Sequence, residues 1–281
     1  MGKSHTGSWK STMIEIFGLG FMQRALVAGI LVSLLCGFFS VFVVLKRLSF
    51  IGVGISHSAF GGVALGYLVG ISPTVSAIAF SGAVALLIGF INRRGRLHED
   101  TAIGIFFALT MALGIFFIGI SKQYNVDLFG YLFGNILAVT RTDVVLVCVA
   151  TPVILVLLGS VFKELLFLSF DEEVAAVSGI AVGPIYYLFL LLMSITIILA
   201  IKVVGIILVS ALLVLPAATA RQLTANYRVL AVVSVFLALM STVCGLFLSY
   251  YLDLASGATI VLFAGILFFL SFAYKTIRRR H

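Results

Sequence analysis

One histidine, His57, lies near the middle of an apolar stretch long enough to span a membrane, Ser49 to Gly70. At about 1.5 Å of rise per residue, its imidazole lies roughly 12–13 Å past the start of such a helix, close to mid-bilayer. A titratable group at that depth is costly and generally functional. Because neutral imidazole binds zinc and other late first-row divalent ions well, this position indicates a metal ligand. The alternative is a structural histidine that bonds a serine or a carbonyl across a helix interface.

The same stretch carries a small residue at every fourth position, namely Gly54, Ser58, Gly62 and Gly66. A stripe of this kind lets the backbone of a neighbouring helix approach closely. We therefore expect a helix that packs tightly while it holds an imidazole where water is scarce.

Composition places the chain among polytopic helical membrane proteins. Of its 281 residues, 62% are hydrophobic and only 10% are charged. The alternating strands of an outer-membrane barrel are absent. The formal net charge of +8 does not indicate nucleic acid, because the basic residues cluster between apolar spans. Residues 1–12 are polar and resemble an expression tag, so we expect a single transmembrane domain over 13–281.

Nine apolar spans are predicted, and the fold class is all-α. They cover approximately residues 24–45, 49–70, 73–92, 101–120, 143–162, 183–201, 203–220, 229–251 and 256–274. Pro216 falls within the seventh span, where a proline removes a backbone hydrogen bond and can kink the helix. If the end that carries Lys46 is cytoplasmic, twelve basic residues lie inside and four outside, with Lys3 and Lys10 of the N-terminal tail set aside. The positive-inside rule then predicts the N-terminus outside and the C-terminus inside.

Two segments depart from the alternation of span and short loop. Residues 123–139 are interrupted by glycines and an asparagine, and we expect a bent or half-inserted element on the outer side. On the inner side, Asp171, Glu172 and Glu173 suit the first turn of a short helix, and Gly179 suits its end. A short cytoplasmic helix of this kind is a surface that a partner protein would grip.

Catalysis by the chain itself is not expected. The chain has only ten acidic residues, most of them at the ends of spans, and it contains no nucleotide-binding loop, nucleophile elbow or HExxH sequence. Asp127 and Asp253 would flank the outer mouth and are second candidates for receiving a cation. Alternatively, each carboxylate solvates a loop or caps a helix.

Several stretches together resemble the membrane permease subunit of ABC importers for zinc, manganese and related divalent metals. The likeness covers most of residues 13–275. It is carried by LKRLSFIGVGISHSAFGGVALG at 45–66, RRGRLHEDTAIGIFF at 93–107, YNVDLFGYLFGNILAVTRTD at 124–143, FDEEVAAVSGI at 170–180 and VGIILVSALLVLPAATARQL at 204–223.

The resemblance implies a type II importer-like bundle in the plasma membrane of a bacterium or archaeon. Two copies of the permease would associate with two cytoplasmic ATPase subunits, and an extracytoplasmic protein would deliver the metal. No permanently bound cofactor is implied, and ATP would act only through the partner. The resemblance also implies an ATPase-coupling helix near 170–180. Its candidate contact residues are Phe170, Asp171, Glu172, Glu173, Val174, Ala175, Ser178 and Gly179.

In this family the second helix often reads G-D-x-x-x-H, and both the aspartate and the histidine are implicated in metal passage. Gly52 and His57 match this pattern, whereas Val53 stands at the aspartate position. Loss of a hard carboxylate with retention of imidazole favours zinc over manganese.

Two other functions are compatible with the sequence. One is a permease of similar architecture that carries a metal chelate, such as a siderophore or cobalamin, through a wider cavity. The other is a channel or carrier that works without nucleotide, which we expect to contain more buried acidic residues than this chain does.

Overall fold

The structure is a computed structural model that describes residues 20–95, 98–121 and 139–278. These ranges contain twelve α-helices and no β-strand. The helices are α1 (Gly20–Leu45), α2 (Ile51–Val69), α3 (Pro73–Gly95), α4 (Glu99–Ser121), α5 (Arg141–Ser160), α6 (Phe162–Phe170), α7 (Glu172–Val177), α8 (Val182–Val204), α9 (Ile206–Leu212), α10 (Leu215–Leu223), α11 (Tyr227–Leu252) and α12 (Ser256–Arg278).

Nine segments of the described chain are long and apolar enough to cross a membrane, as the sequence predicts. Each begins and ends within four residues of its predicted boundary. Eight are single helices, and the segment Ile206–Leu223 consists of α9 and α10. The predicted disturbance near Pro216 is present as a break at Leu213 and Val214, and Pro216 lies in the first turn of α10. A proline costs little there because the first turn has no intrahelical partner for its N–H.

The centre of the bundle is formed by α1, α2 and α8. In their apolar windows, 67% of the residues of α1 and α2 and 72% of those of α8 are buried. Phe39 and Phe42 of α1 pack against Phe189 of α8, with ring centroids 5.6 and 5.9 Å apart. In contrast, only 17% of the apolar window of α4 is buried. The outer face of α4 therefore suits lipid or a second protein chain.

Hydroxyl groups and a glycine hold α1 against α11. A Cβ atom on Gly37 would lie 2.9 Å from the Cβ of Ala238 and 3.0 Å from the Cα of Val235, so glycine is needed for this approach. Beside it, the buried Ser40 and Ser234 hydroxyl oxygens lie 2.7 Å apart and share a hydrogen bond. Small residues and interhelical hydroxyl bonds of this kind associate helices in membranes, where the hydrophobic effect supplies little force between them.

A tight corner joins α1 to α2. Arg47 adopts a left-handed conformation with φ of 60°, and the N–H of Leu48 donates to the carbonyl oxygen of Val43 at 2.8 Å. The N–H of Arg47 donates to the carbonyl oxygen of Val44, so the corner has the bonding pattern of a Schellman motif. Because Leu48 is buried, the corner is fixed to the core at the start of α2.

Some predictions concern residues outside the described part of the chain. The proposed tag at 1–12, Asp127 and the bent element at 123–139, apart from Val139, fall there. Val139 itself is buried, and its carbonyl oxygen accepts a hydrogen bond from Nε of Arg24 at 3.0 Å. The single-domain assignment and the orientation of the termini stay predictions.

Candidate metal site and docking helix

His57 lies in the middle of α2, half-buried, with its ring against α4. Its Nδ1 is 2.9 Å from the carbonyl oxygen of Val53, one turn earlier on the same helix. The ring meets that of Phe107 edge-on, with centroids 4.7 Å apart and an angle of 67° between the planes. The bond to the carbonyl is made within α2, whereas the structural alternative placed it across a helix interface.

The hydrogen bond fixes the tautomer of a neutral His57. A carbonyl oxygen can only accept, so Nδ1 must carry the proton and Nε2 is left with its lone pair. Nε2 has no hydrogen-bond partner among the described residues. Metal-binding histidines commonly donate the other ring N–H to a backbone carbonyl in this way. The geometry therefore leaves Nε2 as the ring atom that is able to bind a cation.

The glycine stripe of α2 packs as predicted. A Cβ atom on Gly62 would lie 2.7 Å from the Cα of Ala77, and one on Gly66 would lie 3.0 Å from the Cα of Pro73, both in α3. On the side of α4, a Cβ atom on Gly61 would lie 2.9 Å from the carbonyl oxygen of Thr110. These close approaches fix α2 between α3 and α4 and so define the depth and direction of the His57 ring.

A groove lies between α2 and α4 on the Lys46 side of His57. Its volume is about 360 Å³. Phe107, which contacts the His57 ring, is part of its wall, and so is Val53. Its lining residues are Phe50, Val53, Gly54, Asp100, Ile103, Gly104 and Phe107. The groove is almost wholly apolar, and Asp100 is the charged side chain in its lining.

The described part of one chain does not supply a complete metal site. No three side chains of His, Cys, Asp or Glu converge within residues 20–95, 98–121 and 139–278. Asp253 is exposed at the C-terminal end of α11, where it adopts a left-handed conformation with φ of 52°. Because α11 packs chiefly against α1, α10 and α12, the structure does not bring Asp253 to His57. Its position agrees with the alternative that Asp253 ends a helix.

The predicted short helix at 170–180 is present as α7, with the expected chemistry at both ends. Asp171 is the residue before the helix, and its carboxylate accepts the N–H groups of Glu173 and Val174 at 2.9 and 3.0 Å. Gly179 has φ of 82° and follows the helix end at Ser178. Asp171 is thus an N-cap and not a first-turn residue, a difference of one position from the prediction.

The candidate docking residues of α7 point in different directions. Ala175 is fully buried, whereas Glu173, Val174 and Ser178 are exposed, as is Phe170 at the end of α6. Val177 is 91% exposed. Glu172 instead turns towards the bundle, where its Oε1 lies 2.6 Å from Nζ of Lys46.

The sequence alone did not reveal the surroundings of Lys46, which looks like a membrane anchor. Its side chain is only 6% exposed and lies 5.0 Å from the centroid of the Tyr186 ring. Tyr186 in turn donates its hydroxyl to Oε1 of Glu99, at 3.4 Å. The partners are far apart in the chain, so no local spacing signals these contacts.

Comparisons with known proteins agree with this geometry. The ABC 3 transport family matches residues 19–275. The manganese transport system membrane protein MntC of Listeria monocytogenes is 39% identical over 254 residues, which cover 90% of each chain. The manganese import system permease protein ScaB of Streptococcus gordonii is 36% identical over 252 residues, again 90% of each chain.

Among solved structures, PsaBC from Streptococcus pneumoniae in complex with Fab superposes with a TM-score of 0.82 at 36% identity. The match covers 94% of this chain and 95% of the PsaBC chain. The resemblance drawn from the five sequence stretches is thereby confirmed. With a family match over nearly the whole length and relatives well above 30% identity, the chain belongs to the ABC 3 transport family.

Proposed function

We propose that this chain is the permease subunit of an ATP-driven importer for divalent transition-metal ions, zinc or manganese. The observation that carries the proposal is the half-buried His57 ring at mid-span, whose Nδ1 is engaged by a carbonyl and whose Nε2 is left to bind a cation. Support comes from the relatives, two of which are named for manganese transport. A chelate importer is not favoured, because the groove beside His57 has a volume of only about 360 Å³ and is almost wholly apolar.

A second copy of the chain would complete the pathway. One imidazole cannot hold a divalent ion by itself, and His57 lies on α2 next to the sparsely buried α4. The outward residues of α4 are large and apolar, with Leu109 54% and Phe116 61% exposed. If two protomers meet along this face, both His57 rings approach one path. Incomplete coordination suits transport, since the ion must also leave.

The energy for transport would come from separate ATPase subunits. The chain carries no nucleotide-binding loop of its own, so ATP would be hydrolysed by a cytoplasmic partner that grips α7. The arrangement needs the Lys46 end to be cytoplasmic, with the N-terminus outside, as the distribution of basic residues predicts. An extracytoplasmic metal-binding protein would load the outer end of the pathway. Residues 13–281 would form one transmembrane domain in the plasma membrane of a bacterium or archaeon.

The choice between zinc and manganese turns on Val53. An aspartate at this position would add a hard oxygen ligand one turn from His57, which suits manganese. Valine leaves imidazole as the ligand type on α2, which favours zinc by ligand softness. The names of the relatives favour manganese, so both ions belong in the test.

The test is ATP hydrolysis and ion uptake by the permease reconstituted with its ATPase in liposomes. We expect zinc or manganese to stimulate ATP hydrolysis and to accumulate only when ATP is present. Uptake that needs no nucleotide would favour a self-contained carrier. Stimulation by a ferric siderophore or cobalamin, without any by the free ions, would favour the chelate importer.

A further inference from the structure

Lys46 joins four elements at the end of the bundle that carries α7. Its ammonium group lies 2.6 Å from Oε1 of Glu172 in α7 and 3.4 Å from the carbonyl oxygen of Leu168 in α6. It also lies 5.0 Å from the centroid of the Tyr186 ring in α8. Lys46 itself directly follows α1 and opens the corner that leads into α2.

Burial makes the pairing with Glu172 necessary. The Lys46 side chain is 6% exposed, and a buried cation is tolerated only when opposite charge and hydrogen-bond acceptors surround it. Glu172 supplies the carboxylate, while Tyr186 supplies the face of an aromatic ring. Glu172 is 43% exposed, so it lies at the boundary between the buried cation and the open surface of α7.

The contacts continue from Lys46 to α2, which carries His57, and to α4, which packs against the His57 ring. The hydrogen-bonded corner between α1 and α2 fixes Lys46 to the start of α2. His57 follows Lys46 by eleven positions in the chain. On the other side, the Tyr186 hydroxyl lies 3.4 Å from Oε1 of Glu99, the first residue of α4. α4 carries Phe107, which contacts the His57 ring. A continuous set of side-chain contacts thus runs from α7 to both walls of the groove.

We propose that Lys46 is a positioning residue that transmits movement of α7 to α2 and α4, and so to the His57 ring. The inference rests on the proposed function, because it takes α7 to be the helix that the ATPase moves. The proposal gives the two neighbouring acidic residues of α7 different roles. Glu172 acts inside the permease through Lys46, whereas the exposed Glu173 faces the partner.

The test compares the number of metal ions imported per ATP hydrolysed, with zinc or manganese, whichever the wild type imports, in liposomes that contain the permease and its ATPase. Lys46→Met keeps the length of the side chain and removes its charge, and Glu172→Gln removes the charge of its partner. We expect each to lower the ratio at least fivefold, while basal ATP hydrolysis and co-purification of the ATPase stay within twofold of wild type. Lys46→Arg, which keeps the charge, is expected to have a ratio within twofold of wild type.

Glu164→Gln is the matched control, since it removes a charge from α6, eight positions before Glu172 in the chain, at a residue that does not pair with Lys46. We expect the ratio of ions to ATP to be unchanged in this variant. Should Lys46→Met fail to fold, Glu172→Gln decides, because its half-exposed side chain is not needed to fill the core. Wild-type ratios in Glu172→Gln would overturn the inference and leave the proposed function intact. A wild-type complex that imports neither manganese nor zinc would overturn both.

Discussion

The Nδ1 atom of His57 lies 2.9 Å from the carbonyl oxygen of Val53, one turn away on the same membrane helix. The contact sets the tautomer of the ring through the backbone carbonyl, so the tautomer does not depend on the side chain at position 53. Because the backbone carbonyl accepts a hydrogen bond from Nδ1–H, Nε2 is the atom that presents a lone pair. Substitutions of the Val53 side chain can therefore change the ligands near the ring while its tautomer stays fixed.

The first prediction concerns His57 as a ligand. His57→Ala should raise the metal concentration for half-maximal stimulation of ATP hydrolysis on the order of tenfold or more, because the path loses its imidazole nitrogen. The measurement is metal-stimulated ATP hydrolysis by the reconstituted complex, titrated with zinc and with manganese. His98→Ala, at an exposed histidine outside the groove, is the control and should match wild type. Unchanged titrations for His57→Ala would remove the ring from the mechanism.

Val53→Asp should shift selectivity from zinc towards manganese. The side chain at position 53 lines the groove of about 360 Å³ beside His57, so an aspartate there would place a hard oxygen ligand on the same path. We expect the ratio of manganese to zinc uptake from an equimolar mixture to rise several-fold, measured by mass spectrometry of the liposome contents. Val53→Asn, of similar shape but without charge, is the control. An equal rise in both variants would mean that the charge of the carboxylate does not set the preference.

The glycine packing of α2 allows a stability prediction. An alanine at Gly62 would place its Cβ 2.7 Å from the Cα of Ala77, and backbone atoms cannot move aside as a flexible side chain can. Gly62→Ala should lower the melting temperature of the purified permease in detergent by several degrees. Gly265→Ala in α12 is the control, since nothing lies within 4 Å of its added Cβ. Equal melting temperatures for wild type and Gly62→Ala would show that α2 and α3 separate easily.

The sequence was sufficient for the helices and for the position of His57 in the middle of α2, but not for the contacts between distant segments. Hydropathy alone gives nine spans because a membrane helix must be apolar over nearly its whole length. The His57–Val53 bond is also local, four residues apart, and could be foreseen on a helix. In contrast, Lys46 and Glu172 are 126 residues apart. Their pairing depends on how α1, α7 and α8 pack, and a lysine at the end of a span looks the same whether it faces water or a carboxylate.

The same limit applies to α7, where the sequence grouped all the acidic residues as docking contacts. The structure separates them, because the half-exposed Glu172 pairs with Lys46, whereas Glu173 forms no ion pair with any described residue. The apolar Val177 was not among the expected contacts, although it is 91% exposed. With the exposed Val174 three positions earlier on the same helix, Val177 offers an apolar surface to the ATPase partner that the proposed function requires.

The last prediction follows from that exposure. Val177→Asp should reduce co-purification of the ATPase about tenfold or more. The new carboxylate would lose its water in an apolar contact, and that cost at least cancels the binding energy that the contact contributes. Val177→Ile keeps the contact apolar and should retain the ATPase at the wild-type level. The readout is the molar ratio of ATPase to permease after affinity capture, with the melting temperature of the permease as a check on folding. If Val177→Asp retains a full complement of ATPase, the partner grips another surface, and α7 loses its role as the point where ATP-driven movement enters the bundle.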